Sequence, residues 1–359
     1  MDKLLWTGEY DPTWDEILSE KFSVTKAGFA ACPVMPTDYR EHILRGEKLT
    51  QALQDKDIFL IGVDPLKEDV LSQCPSLKLV LSVRDGPEEN VDIDTCTRLG
   101  IPVISSSGRC SISVAEYTFL LMMLLARPAH LIISRLREKK WTNASYKSLR
   151  GISTTSAMEI YGKTVGIVGM GRNGMQIATR AQAFGMQVVG YDPFVNAEEM
   201  AKANVQLLPL DQLMEQSDYI IVMARVTAQN KGMIGKEQIA RMKKSACIIN
   251  TARSALMDYD AVLEALRNDQ IRAAALDTWP QEPIGEDSPF YDIPEEKLII
   301  TPHAAGFTLE RTQHQYELLS EGFESFQRGV RPRGLCNPAV FDSPNFAQRG
   351  GLYWNVKKD

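Results

Sequence analysis

Three polar side chains stand where they could do chemistry: Arg253 in IINTAR, Glu282 in AALDTWPQEP and His303 in LIITPHAAG. Each follows a short apolar run of the kind that forms a buried parallel strand. Ligands of open α/β sheets bind outside the carboxyl ends of the strands, so the three would meet at one crevice. Together they suit the oxidation of a 2-hydroxy acid. That reaction needs a cation for the carboxylate and carbonyl oxygens, a proton acceptor that titrates near neutrality, and an acid to orient it. Arg supplies a planar two-pronged donor, His titrates in the right range, and a neighbouring Glu stabilises imidazolium. Singly, each has a blander reading as a surface ion pair, a solvated acid or a satisfied histidine; the arrangement favours chemistry. His42, in a polar helical stretch, His130, after a proline, and His314, in a late helix, are weaker candidates.

A second pattern binds rather than reacts. In TVGIVGMGRNGMQIATRAQAFGMQVVGYDP an apolar strand runs into Gly169-Met170-Gly171-Arg172-Asn173-Gly174 and then a helix expected from about Met175. Gly169 permits the tight turn, Gly171 lets a pyrophosphate approach the backbone, and Gly174 lets helix and strand pack closely. The helix N-terminus then offers N–H groups and a positive dipole end to the phosphates, with Arg172 and Asn173 in its path. The next strand ends in Tyr191-Asp192, where the carboxylate can accept from the adenosine ribose hydroxyls and would repel a 2′-phosphate. No Arg or Lys follows until Lys202, so NAD is preferred over NADP.

The elements that position these groups follow from the rest of the chain. Its 359 residues are 44% hydrophobic and 24% charged, with net charge −6, which suits two globular domains and excludes a disordered or collagen-like chain. No dense Lys/Arg cluster offers a nucleic-acid groove. Six cysteines are scattered singly, and no His/Cys set has metal-ligand spacing, so we expect reduced thiols, a cytoplasmic location and no metal. The opening MDKLLWTGEYDPTWDE lacks the apolar stretch of a signal peptide. The most apolar run, 119–126, stops at Arg127-Pro128, well short of the roughly 20 residues that cross a bilayer, so no membrane association is expected.

Val/Ile-rich runs at 3–6, 58–63, 77–83, 103–105, 165–168, 187–191, 219–223, 247–251, 273–276 and 298–301 alternate with amphipathic stretches. They predict an α/β fold of two doubly wound, Rossmann-like sets, one over about 1–110 and one from about 164 to 302. One long helix over 113–136, kinked at Pro128, should link them; a polar arm follows at 141–157, and a further helix spans 308–327. The C-terminal tail is rich in Pro, Asn and Gly yet carries Phe341, Phe346, Tyr353 and Trp354, which suggests docking rather than disorder.

On these residues the chain resembles the D-isomer-specific 2-hydroxyacid dehydrogenases, the family of phosphoglycerate, glycerate and D-lactate dehydrogenases. The resemblance covers about 55–335 and rests on YGKTVGIVGMGRNG, SVAE at 113–116, NTAR at 250–253, the Asp277…Glu282-Pro283 segment and TPHAAG at 301–306. It implies a discontinuous, flavodoxin-like substrate domain (1–127 and 308–359), an inserted NAD-binding Rossmann domain (128–307), a cleft that closes on the ligand, and a homodimer formed through the cofactor domain. We expect the 113–136 helix and the arm at that interface. The resemblance further implies that Arg253 binds the substrate's carboxylate and carbonyl, that His303 is the acid/base, and that Glu282 supports its protonated form. Asp277 would hydrogen-bond the nicotinamide carboxamide, while Thr251, Ala252 and Ala305 would complete the cofactor wall. The loop Arg84-Asp85-Gly86 would hold the substrate carboxylate. The chain departs from the family at Asn173, at Met223 and Arg225, and in the acidic run Arg84-Asp85-Gly86-Pro87-Glu88-Glu89-Asn90. If Asp85, Glu88 and Glu89 face the substrate, they disfavour a phosphate and favour a hydroxylated, sugar-acid-like tail. The alternative is an NAD(H)-sensing binding protein like the C-terminal-binding corepressors. Formate dehydrogenases fit less well, since they carry an amide where Glu282 stands.

Overall fold

The computed structural model describes residues 1–32, 39–138, 151 and 156–349. The chain forms two compact units, Met1–Cys110 with Thr308–Asp359, and Ser111–Phe307.

Unit 1 is built on a parallel sheet of β1 (Lys3–Trp6), β2 (Ser23–Lys26), β3 (Ile58–Ile61), β4 (Leu79–Ser82) and β5 (Val103–Ser105), in the order β2-β1-β3-β4-β5. This is the flavodoxin-like doubly wound order. β3 and β4 are buried along their whole length, as continuous apolar runs between helical layers should be. β2 was not expected, because SVTK is an exposed edge strand without an apolar run. The helix Arg311–Gln327 returns the chain to this unit and buries Tyr316, Leu319, Phe323 and Phe326 against Leu4, Trp6 and Leu81. It starts later than residue 308. The tail docks as expected: Asn337 accepts from Val103 N–H at 2.9 Å and donates to Ile101 O at 3.0 Å, and Phe346 is buried against Phe341. Tyr353 and Trp354 lie outside the described residues.

Unit 2 holds β6 (Thr164–Val168), β7 (Gln187–Tyr191), β8 (Gln206–Leu207), β9 (Tyr219–Val222), β10 (Cys247–Asn250), β11 (Ala273–Leu276) and β12 (Leu298–Ile300), in the order β12-β11-β10-β9-β6-β7-β8. Chain direction across the sheet reverses between β6 and β9, the switch point at which dinucleotides bind. β8, two residues long, escaped the sequence pattern.

Two expectations are corrected here. The 113–136 helix is two helices, Ser111–Ala126 and Ala129–Arg137, bent by 75° at Arg127-Pro128. Proline has no N–H to continue the ladder, and its ring clashes with the preceding turn. The units also divide at Cys110/Ser111 rather than at 127/128. Helix Ser111–Ala126 is apolar nearly all round and belongs to the unit 2 core, where Phe119, Leu121, Met122 and Leu125 join the cluster of Ile177, Ala178 and Ala181. The arm at 141–157 lies almost wholly outside the described residues. Among the described residues no single helix is long and apolar enough to cross a membrane.

Candidate active site

The glycine loop shows three separate needs. Gly169 has φ +105°, and a Cβ there would sit 2.5 Å from Ala224 N. A Cβ on Gly174 would lie 2.2 Å from Gly169 O, so only glycine lets this helix approach its strand. A Cβ on Gly171 would meet nothing within 4 Å, which leaves open space directly before the helix N-terminus. The helix is Arg172–Ala183 with Gly171 as its N-cap, so it begins earlier than Met175, and Arg172, Asn173 and Gly174 form its first turn. First-turn N–H groups have no intrahelical acceptor and suit a pyrophosphate.

Asp192 follows β7 and is fixed from both sides. Met170 N–H donates to its Oδ2 and Phe194 N–H to its Oδ1, each at 2.9 Å, and each oxygen keeps lone-pair capacity for a ribose hydroxyl. Tyr191, partly buried, accepts from Gly169 N–H at 2.8 Å, which closes the turn against the neighbouring strand.

Arg253, Asp277 and His303 follow β10, β11 and β12, three adjacent strands. Asn250, which sequence reasoning missed, is buried and organises the first of these ends: its Oδ1 accepts from Ala252 N–H at 3.0 Å and its Nδ2 donates to Arg253 O at 3.0 Å. Arg253 itself is exposed. Thr251 is buried and shares a 2.5 Å hydrogen bond with Thr118. The Thr251 hydroxyl and the Ala252 N–H are thus engaged within the unit.

Asp277, expected at the nicotinamide, has its partners within its own unit in this structure. Its side chain is fully buried, and its carboxylate accepts from Thr301 Oγ1 (2.6 Å), Ala304 N–H (2.8 Å) and Ala305 N–H (3.0 Å). All three donors belong to the loop that carries His303. The expected cofactor contact Ala305 spends its N–H here too. His303 has φ +55°, a left-handed backbone that costs a non-glycine residue about 1 kcal/mol. The bonds of Asp277 to the two N–H groups that follow hold the chain in that conformation.

His303 Nδ1 lies 3.0 Å from Glu282 Oε1 and 2.8 Å from Oε2. Glu282 Oε1 also accepts from Trp279 N–H at 3.0 Å, while the Trp279 indole donates to Thr301 O at 2.9 Å and ties the two loops together. With Nδ1–H directed to the carboxylate, Nε2 is the nitrogen left for a reacting proton. Trp279 gave no sequence signal beyond its place before Glu282.

In unit 1 the loop Arg84-Asp85-Gly86 differs from the expectation. The Arg84 guanidinium pairs with Glu89, and Asp85 Oδ1 accepts from Gly108 N–H at 2.9 Å. Glu88 is exposed and lines a surface groove with Lys67, Asp92 and Asp94. Two of the three carboxylates expected to face the substrate therefore build the loop instead, and the sugar-acid tail loses its support. No hydrogen bond within the described residues takes the N–H groups of Asp85 and Gly86.

The chain is similar to known proteins. Residues 119–305 match the D-isomer specific 2-hydroxyacid dehydrogenase, NAD binding domain. The chain is 34% identical over 277 residues to a glyoxylate reductase of Korarchaeum cryptofilum, covering 77% of this chain and 81% of that one. It is 33% identical over 296 residues to a D-3-phosphoglycerate dehydrogenase of Methanocaldococcus jannaschii, covering 82% of this chain and 54% of the relative. The chain spans about half the length of the phosphoglycerate dehydrogenases it matches. Among solved structures, the fold is similar to apo D-mandelate dehydrogenase of Rhodotorula graminis, with TM-score 0.80, 22% identity and coverage of 94% of this chain and 97% of that one. It is also similar to a glyoxylate reductase from Paecilomyes thermophila, with TM-score 0.75, 23% identity and coverage of 93% and 98%.

Proposed function

Because the chain belongs to the D-isomer specific 2-hydroxyacid dehydrogenase family and is an NAD-dependent dehydrogenase, we propose that it interconverts a small D-2-hydroxy acid and its 2-oxo counterpart through His303, Glu282 and Arg253. The observation that carries this reading is the His303–Glu282 pair, both of whose carboxylate oxygens lie within 3.0 Å of Nδ1. A histidine so held has a fixed tautomer and presents Nε2 as the proton donor or acceptor.

Bound NAD(H) supplies or accepts the hydride. The chain's residues do the rest: in the reducing direction His303 gives its Nε2 proton to the carbonyl oxygen, and Glu282 stabilises the imidazolium that precedes this transfer. Arg253 holds the carboxylate and carbonyl oxygens and stabilises charge developing on the latter. The N–H groups of Asp85 and Gly86 suit a role in receiving the substrate carboxylate, which makes unit 1 the substrate unit. The residues fit the dinucleotide: Gly171 leaves room for the pyrophosphate at the helix Arg172–Ala183, and Asp192 is oriented for ribose hydroxyls. Asp277 acts by holding the His303 loop.

We further propose a homodimer through unit 2. Ile112, Leu120, Ile133 and Leu136 are exposed on the two helices that flank Pro128, an apolar surface that a second copy would cover. Six cysteines without a disulfide among the described residues support a reducing, cytoplasmic setting.

His303→Ala tests the reading. Turnover of 2-oxo acids with NADH should fall by about 100-fold or more while NADH binding, followed by fluorescence titration, persists. Turnover at the wild-type rate in this variant would overturn the assignment.

A further inference from the structure

Arg253 and the Glu282–His303 pair leave the sheet of unit 2 on different strands, and one buried hydroxyl joins the strand ends that carry Arg253 and Glu282. Tyr259 opens the helix Tyr259–Arg267 and is 5% exposed; its Oη donates to Thr278 O at 2.6 Å and accepts from Asn250 Nδ2 at 3.3 Å. Asn250 is the last residue of β10, and the same Nδ2 donates to Arg253 O at 3.0 Å. Thr278 lies just beyond β11, and the next residue, Trp279, gives its N–H to Glu282 Oε1 at 3.0 Å. A path of hydrogen bonds therefore runs from the Arg253 backbone through Asn250 and Tyr259 to the carboxylate that holds His303 Nδ1. Every member belongs to unit 2.

The Thr278 carbonyl and the Trp279 N–H are the two ends of one planar peptide group. Tyr259 holds its oxygen and Glu282 takes its hydrogen, so this peptide cannot turn without losing both bonds. Donation into the carbonyl also polarises the N–H and strengthens its bond to the carboxylate. The Tyr259 ring is fixed in turn: it meets Trp279 and Phe290 edge-on, with centroids 6.0 and 5.8 Å away. Burial pushes the Tyr259 pKa above its ordinary value, so the hydroxyl keeps its proton and remains a donor. A phenylalanine would fill the same space; only the hydroxyl reaches both strand ends.

We propose that Tyr259 is a positioning residue for the reaction, its hydroxyl setting the Arg253 end of β10 and the Glu282–His303 pair in one fixed arrangement. The inference rests on the dehydrogenase reading above. Tyr259 acts through Asn250 and the Thr278–Trp279 peptide rather than on the substrate.

The test compares the full-length wild type with Tyr259→Phe, Tyr259→4-aminophenylalanine and Phe290→Leu, using NADH and whichever of glyoxylate, pyruvate and hydroxypyruvate the wild type reduces fastest. In Tyr259→Phe kcat should fall by about 10-fold, the scale of one lost buried hydrogen bond. The Kd for NADH should change by less than about twofold, because the glycine loop and Asp192 follow β6 and β7, across the switch point from this path. Phe290→Leu removes an aromatic neighbour and no hydrogen bond, so it should lower Tm and keep kcat within about twofold of wild type. Tyr259→4-aminophenylalanine still donates to Thr278 O but accepts poorly from Asn250, and should lose about two- to threefold in kcat. If Tyr259→Phe does not fold, this last variant decides alone, and wild-type kcat in it overturns the proposal. A Tyr259→Phe protein with lowered Tm and unchanged kcat makes Tyr259 a packing residue and overturns it too, as does an equal loss of kcat in Phe290→Leu. Failure of the wild type to reduce any of the three acids would instead overturn the dehydrogenase reading itself.

Discussion

At the carboxyl ends of β11 and β12 the buried and half-buried charges are paired within unit 2: Asp277 with three donors, Glu282 with His303 and Trp279 N–H. At the end of β5 in unit 1, Arg109 Nε is buried without an acceptor among the described residues. Both sheets are doubly wound and parallel, so topology alone does not separate them. The difference lies in what each end must do. Proton transfer needs groups fixed relative to one another, and a fully satisfied network supplies rigidity. A donor left open, by contrast, is one that solvent or a ligand can complete.

Asp277→Asn would break the satisfied side and should have the largest effect. An amide can accept at one oxygen only, so its NH2 would face one of the Ala304 or Ala305 N–H groups, and the left-handed His303 would lose its restraint. We expect kcat to fall by about 100-fold, equivalent to about 2.7 kcal/mol, with a smaller change in NADH affinity. Steady-state kinetics beside a binding titration separates the two. Equal loss in both would return Asp277 to the cofactor surface.

Glu282→Gln should come next, because it alters a half-exposed pair and leaves the loop intact. The carboxylate that orients the His303 ring is then replaced by an amide, so kcat for 2-oxo acid reduction should fall by about five- to tenfold while NADH affinity is unchanged. An equal loss of kcat and of NADH affinity would make Glu282 a packing residue only.

How far these features could be read in advance follows the same division. The glycine loop, Asp192 and the strand-end residues were legible because backbone constraint forces particular residue types at fixed local spacing. Edge strands β2 and β8 were not, since neither has an apolar run. Burial of an acid leaves no mark in sequence, so Asp277 could be placed near the chemistry but not assigned its partners. Arg109 was invisible for a simpler reason: its partner Gln315 lies 206 residues away.

The smallest effect compares two buried aspartates. Asp64 follows β3 in unit 1, is 2% exposed, and accepts from Thr7 Oγ1 at 2.5 Å and Leu44 N–H at 2.8 Å, much as Asp277 accepts from Thr301 and two N–H groups. Burial raises its pKa above the ordinary carboxylate value of 3.8, against the opposing effect of these hydrogen bonds. A carboxyl with a raised folded-state pKa contributes stability that is full below 3.8 and is lost as pH rises through the folded value. Asp64→Asn removes that titration while keeping the shape: its oxygen can accept from Leu44 N–H and its NH2 can donate to Thr7 Oγ1. At pH 7 the variant should therefore lie within about 1 kcal/mol of wild type. As pH falls toward 4, wild type should gain on the variant, and the gap should level off below the unfolded-state pKa. Urea denaturation of both proteins between pH 4 and 7 reads this directly. A gap that instead widens in favour of the variant on acidification would mean that Asp64 is held as a stabilised carboxylate, and that unit 1 is as well satisfied as unit 2 at this strand end.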